Sequence, residues 1–402
     1  MTSSTPSPRW HELDAVRAFA LLLGVVLHGV MSFMAPRIWI VGDSVQSTGA
    51  DLAFYVIHMF RMTTFFILAG FFARVLLNKR GTGGFIANRL KRVGVPLIVF
   101  WPLTTAAIVA VAIFANMPAP GTAAAAAPPP PPPAFSIATF PLTHLWFLYA
   151  LLLLYTGAVV MKVLTDVLHI GGACGKILDR ATGLLVRSEL AVVLFALPVA
   201  AAFYTNPAWM MWFGVQTPDT GLVPNVMAIA AFVTAFTVGW WLNRRSDLLD
   251  HMASRAWLYT IVAVLGTWWC LTTIGKTPVF APAAGHDQPL YCLVYPVTAW
   301  AWSFALIGWA RLLLKAEVPF VRYMADASYW IYIVHVPLLM VFQFLVKDQP
   351  WLVEYKAGLV IFGTLGVALL SYALFVRYTF IGTILNGRRQ KPKCLQTREA
   401  IA

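Results

Sequence analysis

Three histidines lie inside long apolar stretches of this 402-residue sequence, at His28, His58 and His335. Ionisable side chains are costly in the hydrocarbon of a membrane, so those found there usually face a polar cavity or a partner. An imidazole accepts and returns a proton near neutral pH, which suits it to general acid–base catalysis. We therefore interpret the three histidines as a candidate acid–base cluster. The alternative for each of them is a hydrogen bond between packed helices.

The first apolar stretch carries an acid, a base and an imidazole along one helix, at Asp14, Arg17 and His28. By helical geometry Arg17 and His28 lie about 20° apart on one face and about 16 Å apart along the axis. Arg17 is expected at the membrane edge and His28 near the middle. Arg17 alone would suit an anchor whose charge reaches the headgroups. Because both residues lie on the same face of the helix, we favour the interpretation that this face lines a cavity.

The second apolar stretch places His58 about 10 Å from Asp51, and Arg61 lies one turn deeper. From that depth an arginine does not easily reach either membrane surface. Arg61 is therefore a candidate for stabilising negative charge that develops during a reaction. The alternative is an ion pair with an intramembrane acid such as Asp51 or Asp326.

A late apolar stretch aligns Ser328, Tyr332 and His335 on one helix face by their i, i+4 and i+7 spacing. His335 lies about 13 Å beyond Asp326, at a depth similar to that expected of the other two histidines. We therefore expect the three imidazoles to surround one hydrophilic tunnel.

Two further pairs of residues stand at the ends of apolar stretches. Arg89 and Arg92 precede the third stretch at i, i+3 spacing, which lets one helix face bind phosphate groups. The alternative is ordinary positive charge beside a membrane span. His144 and Trp146 open the fourth stretch, where we expect them on the acceptor side of the site. Their alternative is simple anchoring in the aromatic belt of the outer interface.

The elements that position these residues follow from composition. Hydrophobic residues make up 60% of the chain and charged residues 11%, against roughly 25% charged residues in a soluble domain. Apolar runs of about 20 residues recur, each long enough to cross a bilayer as a helix. We predict an all-α polytopic membrane protein with about ten transmembrane helices, at 13–34, 51–77, 93–115, 144–161, 189–205, 225–242, 256–274, 290–310, 327–346 and 357–384.

The distribution of lysine and arginine predicts the orientation. With both termini in the cytoplasm, nearly all of the 29 basic residues fall on the cytoplasmic side. The outer loops then contain only Arg37, Lys276, Lys347 and Lys356. The net charge of +13 therefore reflects membrane topology, and no nucleic-acid partner is predicted.

Three regions are predicted along the chain. A cytoplasmic tail covers residues 1–12, a transmembrane domain 13–384, and a basic cytoplasmic tail 385–402. The outer loop 116–143 contains an alanine and proline run at 123–133, which predicts an extended polyproline segment.

Several common active-site signatures are missing from the sequence. It has no GxSxG, P-loop, HExxH or GxGxxG motif at a plausible position. Its four cysteines show no CxxC spacing, so neither a metal site nor a disulfide framework is predicted.

The Arg17-x10-His28 spacing, the stretch FFILAGFF in the second span, RLKR before the third and the late SYWIYIVH resemble the acyltransferase-3 family of membrane acyltransferases. The resemblance covers nearly the whole chain. It implies a cytoplasmic acyl-CoA as co-substrate, with no bound cofactor, and a periplasmic glucan or other glycan as acceptor. It also implies that His28 is the catalytic base, that Arg17 supports it, and that Arg89 and Arg92 face the CoA phosphates.

These expectations combine into one hypothesis, an O-acyltransferase of the bacterial inner membrane that transfers a succinyl group, or an acetyl group, to a sugar hydroxyl. His28 would accept the hydroxyl proton, and His58, Arg61 or His335 would stabilise the oxyanion or orient His28. Asp14 is included in the site with Arg17. The alternative is a proton-coupled secondary transporter with midplane His and Arg residues. The sequence contains no second Arg-x10-His pattern of the kind that internally repeated halves would produce.

Overall fold

The computed structural model describes residues 10–37, 39–117, 134–207, 209–282 and 284–387. These residues are almost entirely helical and form no β-strand, apart from one isolated bridge between Pro141 and Thr220. The helices are α1 (His11–Val30), α2 (Thr48–Arg89), α3 (Val95–Ala115), α4 (Trp146–Val167), α5 (Gly171–Arg187), α6 (Ala191–Tyr204), α7 (Val226–Arg244), α8 (Asp247–Ser254), α9 (Ala256–Ile274), α10 (Pro289–Leu313), α11 (Pro319–Val346), α12 (Val353–Ser371) and α13 (Phe380–Asn386).

The predicted all-α polytopic membrane fold is confirmed. Within the described residues, 8 helical segments are long and apolar enough to cross a membrane, or 9 if Gly175–Arg187 and Ala191–Tyr204 form one bent span. The predicted number of about ten spans is higher than this count because the count treats Thr48–Ala115 as one segment, whereas that segment contains two of the predicted spans. Helices predominate because hydrocarbon offers no hydrogen-bond partner to a free backbone group.

The long segment Thr48–Ala115 reverses direction near its centre. Gly81 has φ 66° and interrupts α2, a backbone conformation that glycine adopts without strain. At the far end, the Asn116 side chain donates to the carbonyl of Ile40 at 3.5 Å. Since Ile40 lies shortly before the start of α2, α3 returns to the side of the membrane where α2 began.

Three predicted boundaries need correction. The predicted last span, 357–384, is not one helix, because α12 continues only into a π-helical turn at Tyr372–Val376 and α13 is separate. The predicted spans leave out the short helix α8 and the longer α5, since neither contains a continuous apolar run. The segment 118–133 and the ends 1–9 and 388–402 lie outside the described residues, so the polyproline prediction and most of both predicted tails stay predictions.

Helices α2 and α7 approach each other through two glycines. A Cβ atom on Gly70 would stand 1.9 Å from the carbonyl oxygen of Phe236, and one on Gly239 would stand 1.8 Å from that of Ile67. Small residues allow this backbone contact, as is typical of helix packing in membranes. The other faces of α2, together with α1 and α11, surround the site described below.

Candidate active site

Three imidazoles meet near the centre of the helix bundle. The ring of His335 on α11 lies 5.3 Å from that of His28 on α1 and 5.5 Å from that of His144, just before α4. They enclose a pocket of about 30 Å³, room for about one water molecule. Its other lining residues are Ala20, Leu21, Gly24, Arg61, Met62, Phe65, Trp146, Phe147 and Tyr332.

Backbone carbonyls fix the orientation of two of these rings. His335 Nδ1 lies 2.6 Å from the carbonyl oxygen of Tyr332, and His144 Nε2 lies 3.0 Å from that of Ile333. A carbonyl only accepts, so these nitrogens carry the hydrogen, and the other ring nitrogen of a neutral imidazole is an acceptor. Those nitrogens, His335 Nε2 and His144 Nδ1, are buried and have no hydrogen-bond partner among the described residues, and the same holds for Nδ1 of His28.

Arg61 brings a cation to the same pocket, and among the described residues no carboxylate pairs with it. Its Nε is buried and has no hydrogen-bond partner in the part of the chain that the structure describes. The two acids considered from the sequence are elsewhere. Asp51 accepts from the backbone N–H of Ala35 at 3.1 Å, and Asp326 lines a different cavity. The pocket therefore contains a guanidinium with no carboxylate partner among the described residues, which suits an anionic group or a developing oxyanion. Beside it, the free nitrogens of His335 and His144 can accept a proton.

His58 does not line this pocket, contrary to the sequence-based expectation. Its Nε2 lies 3.1 Å from the carbonyl oxygen of Val215, and its ring stacks on Phe54 at 5.2 Å. His58 and Arg61 are three residues apart on α2, so their directions differ by about 60°. Arg61 faces α1, while His58 faces the 211–215 segment. The third imidazole of the cluster is that of His144.

A wider cavity of about 380 Å³ adjoins the histidine pocket. The two share Leu21, Phe65, Phe147 and Tyr332 as walls. Four basic side chains line the wider cavity at the other end, Arg17, Lys79, Arg89 and Arg92. The walls between them are mostly apolar or aromatic, so the cavity joins a cationic entrance to an acid–base pocket.

The Arg17 side chain belongs to the wider cavity and not to the histidine pocket. Its Nη2 pairs with Asp14 Oδ1 at 3.0 Å, and its guanidinium lies 5.4 Å from the ring centre of Phe72. The predicted common face of α1 is therefore present, with Arg17 at the cavity and His28 at the pocket. Asp14 does not line either of the two.

Arg89 and Arg92 line the cavity in different ways. Arg92 donates from Nε and Nη2 to the carbonyl of Leu385 on α13, at 2.9 and 2.6 Å. Arg89 stacks on Tyr155 at 5.1 Å and donates from Nη1 to Tyr155 Oη at 3.4 Å and from Nη2 to Asn88 Oδ1 at 2.9 Å. Each guanidinium thus has two nitrogens bound to protein oxygens, and Arg92 also attaches α13 to the cavity wall.

Comparison with known proteins now bears on this arrangement. A family model described as "Acyltransferase domain" matches residues 10–376, most of the chain. The chain belongs to the acyltransferase-3 family. Glucans biosynthesis protein C of Salmonella heidelberg (strain SL476) and that of Salmonella typhi are each 23% identical to it, over 99% of this chain and all of the relative. That of Salmonella typhimurium is 23% identical over 96% of this chain and 97% of the relative. No solved structure matches.

The chain is thus a multi-pass membrane acyltransferase, and the resemblance inferred from its sequence is confirmed. The acyltransferase has no group of three His, Cys, Asp or Glu side chains, within the part of the chain that the structure describes, that could hold a metal ion. Its reactive groups in the pocket are imidazoles and a guanidinium.

The acyltransferase buries His144 and Trp146 inside the bundle, where the sequence suggested an outer interface. His144 is 9% exposed and Trp146 6%. The Trp146 ring stacks on Phe232 at 5.5 Å, and both residues line the histidine pocket. The short segment before α4 turns inward as a single 3-10 turn, Thr143–Leu145. The position of the two residues at the start of a predicted span therefore placed them too close to the membrane surface.

Two residues beside His28 were missed from the sequence. The ring of Trp39 lies 5.5 Å from that of His28, and its Nε1 donates to Gln343 Oε1 at 2.7 Å. Gln343 Nε2 in turn donates to the carbonyl of His28 at 2.9 Å. An amide inside the apolar run LLMVFQFLV was a signal for Gln343, because polar groups there need partners. Trp39 lies in a connecting segment, and no pattern distinguishes it.

Proposed function

We propose that this acyltransferase transfers a succinyl group from succinyl-CoA to a hydroxyl of a periplasmic glucan. One observation carries the proposal. A cavity lined by four basic side chains shares four wall residues with a pocket that contains three imidazoles and an arginine with no carboxylate partner among the described residues. The relatives called glucans biosynthesis protein C support a glucan as the acceptor.

The wider cavity suits the donor. Four side chains supply cations for the CoA phosphates at its entrance, Arg17, Lys79, Arg89 and Arg92. Apolar walls further in suit the pantetheine arm, which places the thioester at the histidine pocket. By the positive-inside rule this entrance faces the cytoplasm of the bacterial inner membrane, where acyl-CoA is made, and the opposite end faces the periplasm.

The proposed chemistry is direct acyl transfer with His28 as the base. His28 accepts the hydroxyl proton while the oxygen attacks the thioester carbonyl, which gives a tetrahedral oxyanion. When the C–S bond breaks, the same proton passes from His28 to the CoA thiolate, so the ester and free CoA are the products. Nε2 of His335, an acceptor close to His28, would orient the His28 ring.

Arg61 is the residue we assign to the free carboxylate of the succinyl group. A buried guanidinium without an acidic partner is complementary to a carboxylate that the substrate brings. An acetyl group lacks this charge and would leave Arg61 unpaired. This is why succinyl is the favoured group.

The test is transfer by the purified protein. Succinyl-CoA or acetyl-CoA is added to the protein together with glucan. The release of free CoA thiol is measured with a colorimetric assay, and acylation of the glucan is detected by mass spectrometry. Succinylated glucan and an equal amount of free CoA are expected. His28→Ala should abolish transfer, with His58→Ala, outside the pocket, as the matched histidine control. Transfer that persists in His28→Ala would reject His28 as the base. Absence of acylated glucan with the wild-type protein and either donor would reject the proposed function and favour a transporter.

A further inference from the structure

We infer that Trp39 is a positioning residue for the acceptor sugar, and that Gln343 holds Trp39 and His28 in one arrangement. The inference rests on the proposed function, since it assigns the acceptor side of the same site. It concerns the face of His28 that points away from the donor cavity.

Gln343 joins three groups through its side-chain amide. Its oxygen accepts from Trp39 Nε1 at 2.7 Å, and its nitrogen donates to the carbonyls of His28 and Gly29 at 2.9 and 3.3 Å. The residue is 0% exposed. The amide has two donor hydrogens, and both are used on the last turn of α1. One buried side chain of α11 therefore fixes both the end of the helix that carries His28 and the indole beside it.

The segment that carries Trp39 is itself firmly attached. Ser32 donates from Oγ to the carbonyl of Val41 at 2.5 Å. Asp43 pairs with Lys356 on α12 at 2.8 Å, and both side chains are 0% exposed. Trp39 thus lies on a short connection that is tied down on both sides, which holds its ring at a defined distance from His28.

The two substrates reach His28 from different ends of α1. The basic cavity lies toward Arg17, about 16 Å before His28 along the helix. Trp39 lies beyond the other end of α1, and it is absent from the lining of that cavity. A sugar that approaches from the side opposite the donor therefore meets Trp39 before it reaches the imidazole.

The half-buried indole suits such a ligand chemically. Its flat apolar face accepts the C–H face of a pyranose ring, while its N–H is already satisfied by Gln343. The centre of the His28 ring is 5.5 Å from that of the indole, and an apolar cluster that includes Val336 and Met340 packs against the same indole. The exposed part of the indole is therefore where the sugar would pack, beside His28, while the indole N–H is bound to the protein.

The experiment measures kcat and the two KM values for wild type, Trp39→Ala, Trp39→Phe and Gln343→Leu. Trp39→Ala is expected to raise KM for glucan at least tenfold and to leave KM for succinyl-CoA within twofold. Trp330→Phe is the matched control, because it removes another indole N–H bond, from Nε1 to Ser371 Oγ at 2.9 Å. This control should change neither KM.

A double-mutant cycle tests the role of Gln343. Trp39→Phe and Gln343→Leu break the same bond, so their effects on the glucan KM should be strongly non-additive. Equal changes in both KM values, or a fall in kcat alone, would overturn the inference and leave Trp39 a structural residue. A change in glucan KM with additive single effects would overturn the role of Gln343. If the wild-type protein acylates no glucan, that result contradicts the proposed function and not this inference. The wild-type assay comes first, so the two outcomes are distinguished before any variant is compared.

Discussion

The guanidinium of Arg61 packs directly onto Gly24 of α1. A Cβ atom at Gly24 would stand 2.5 Å from Arg61 Nη1. The cation thereby reaches the histidine pocket across a helix surface that has no side chain in the way. Since Gly24 lies one turn before His28 on the same helix, the glycine and the base are positioned together.

Gly24→Ala is expected to displace Arg61 from the pocket. The contact is with the end of a flexible side chain, so the fold should tolerate the change while acyl transfer falls about tenfold or more. Gly366→Ala on α12 is the control, because nothing lies within 4 Å of a Cβ there. Thermal unfolding in detergent and the transfer rate are measured for both. Unchanged transfer in Gly24→Ala would contradict a role for the Arg61 position.

Arg61→Gln is expected to change donor preference. If Arg61 binds the succinyl carboxylate, transfer from succinyl-CoA should fall about 100-fold, and transfer from acetyl-CoA should fall less. The ratio of kcat/KM for the two donors is the measurement. Because no acid pairs with Arg61 in the described structure, the variant should keep the thermal stability of wild type. A proportional loss for both donors would assign Arg61 to the oxyanion alone.

Arg89→Ala and Arg92→Ala should each raise KM for acyl-CoA. Both guanidiniums line the wider cavity, and each has two nitrogens bound to protein oxygens and one further nitrogen for a phosphate. One lost charged hydrogen bond corresponds to about 1.5–3 kcal/mol, roughly a 10- to 100-fold rise in KM. An unchanged KM for acyl-CoA in both variants would contradict a role of this end of the cavity in donor binding.

Asp43→Ala should strongly destabilise the protein. Removal of one partner of a buried ion pair leaves the other charge uncompensated, at a cost of about 3–5 kcal/mol. Asp43 and Lys356 are both fully buried. Asp166→Ala is the control, since the Lys162–Asp166 pair is largely exposed and such pairs contribute about 0–1 kcal/mol. The two thermal midpoints are compared in the same detergent, and similar small shifts would contradict the prediction.

Gly70→Ala should separate α2 from α7. The added Cβ would meet a backbone carbonyl at 1.9 Å, and a backbone atom cannot move aside as a side chain does. We expect a loss of several kcal/mol, at the upper end of the overpacking range of about 1–3 kcal/mol or beyond it. Thermal unfolding checks this, with Gly366→Ala again as the neutral glycine. A stability equal to wild type would contradict the close backbone contact between the two helices.

The sequence by itself determined the class of fold and several of the residues that line the histidine pocket. Apolar runs of about 20 residues can only be satisfied as helices in hydrocarbon, so the spans were predictable one by one. Helical periodicity correctly placed Arg17 and His28 on one face of α1, and the cost of buried charge singled out Arg61 and His335. These are local arguments, and each depends on one helix alone.

Only the tertiary structure decided which helices share the pocket. The sequence placed His58 inside a span and His144 at the end of one, yet rotation of α2 directs His58 to Val215, and an inward turn before α4 brings His144 to His335. Likewise, Leu385 engages Arg92 and Gln343 ties Trp39 to His28 across more than 290 residues of chain. Contacts between distant segments depend on how helices rotate and pack against one another. Periodicity within a single helix does not predict this packing.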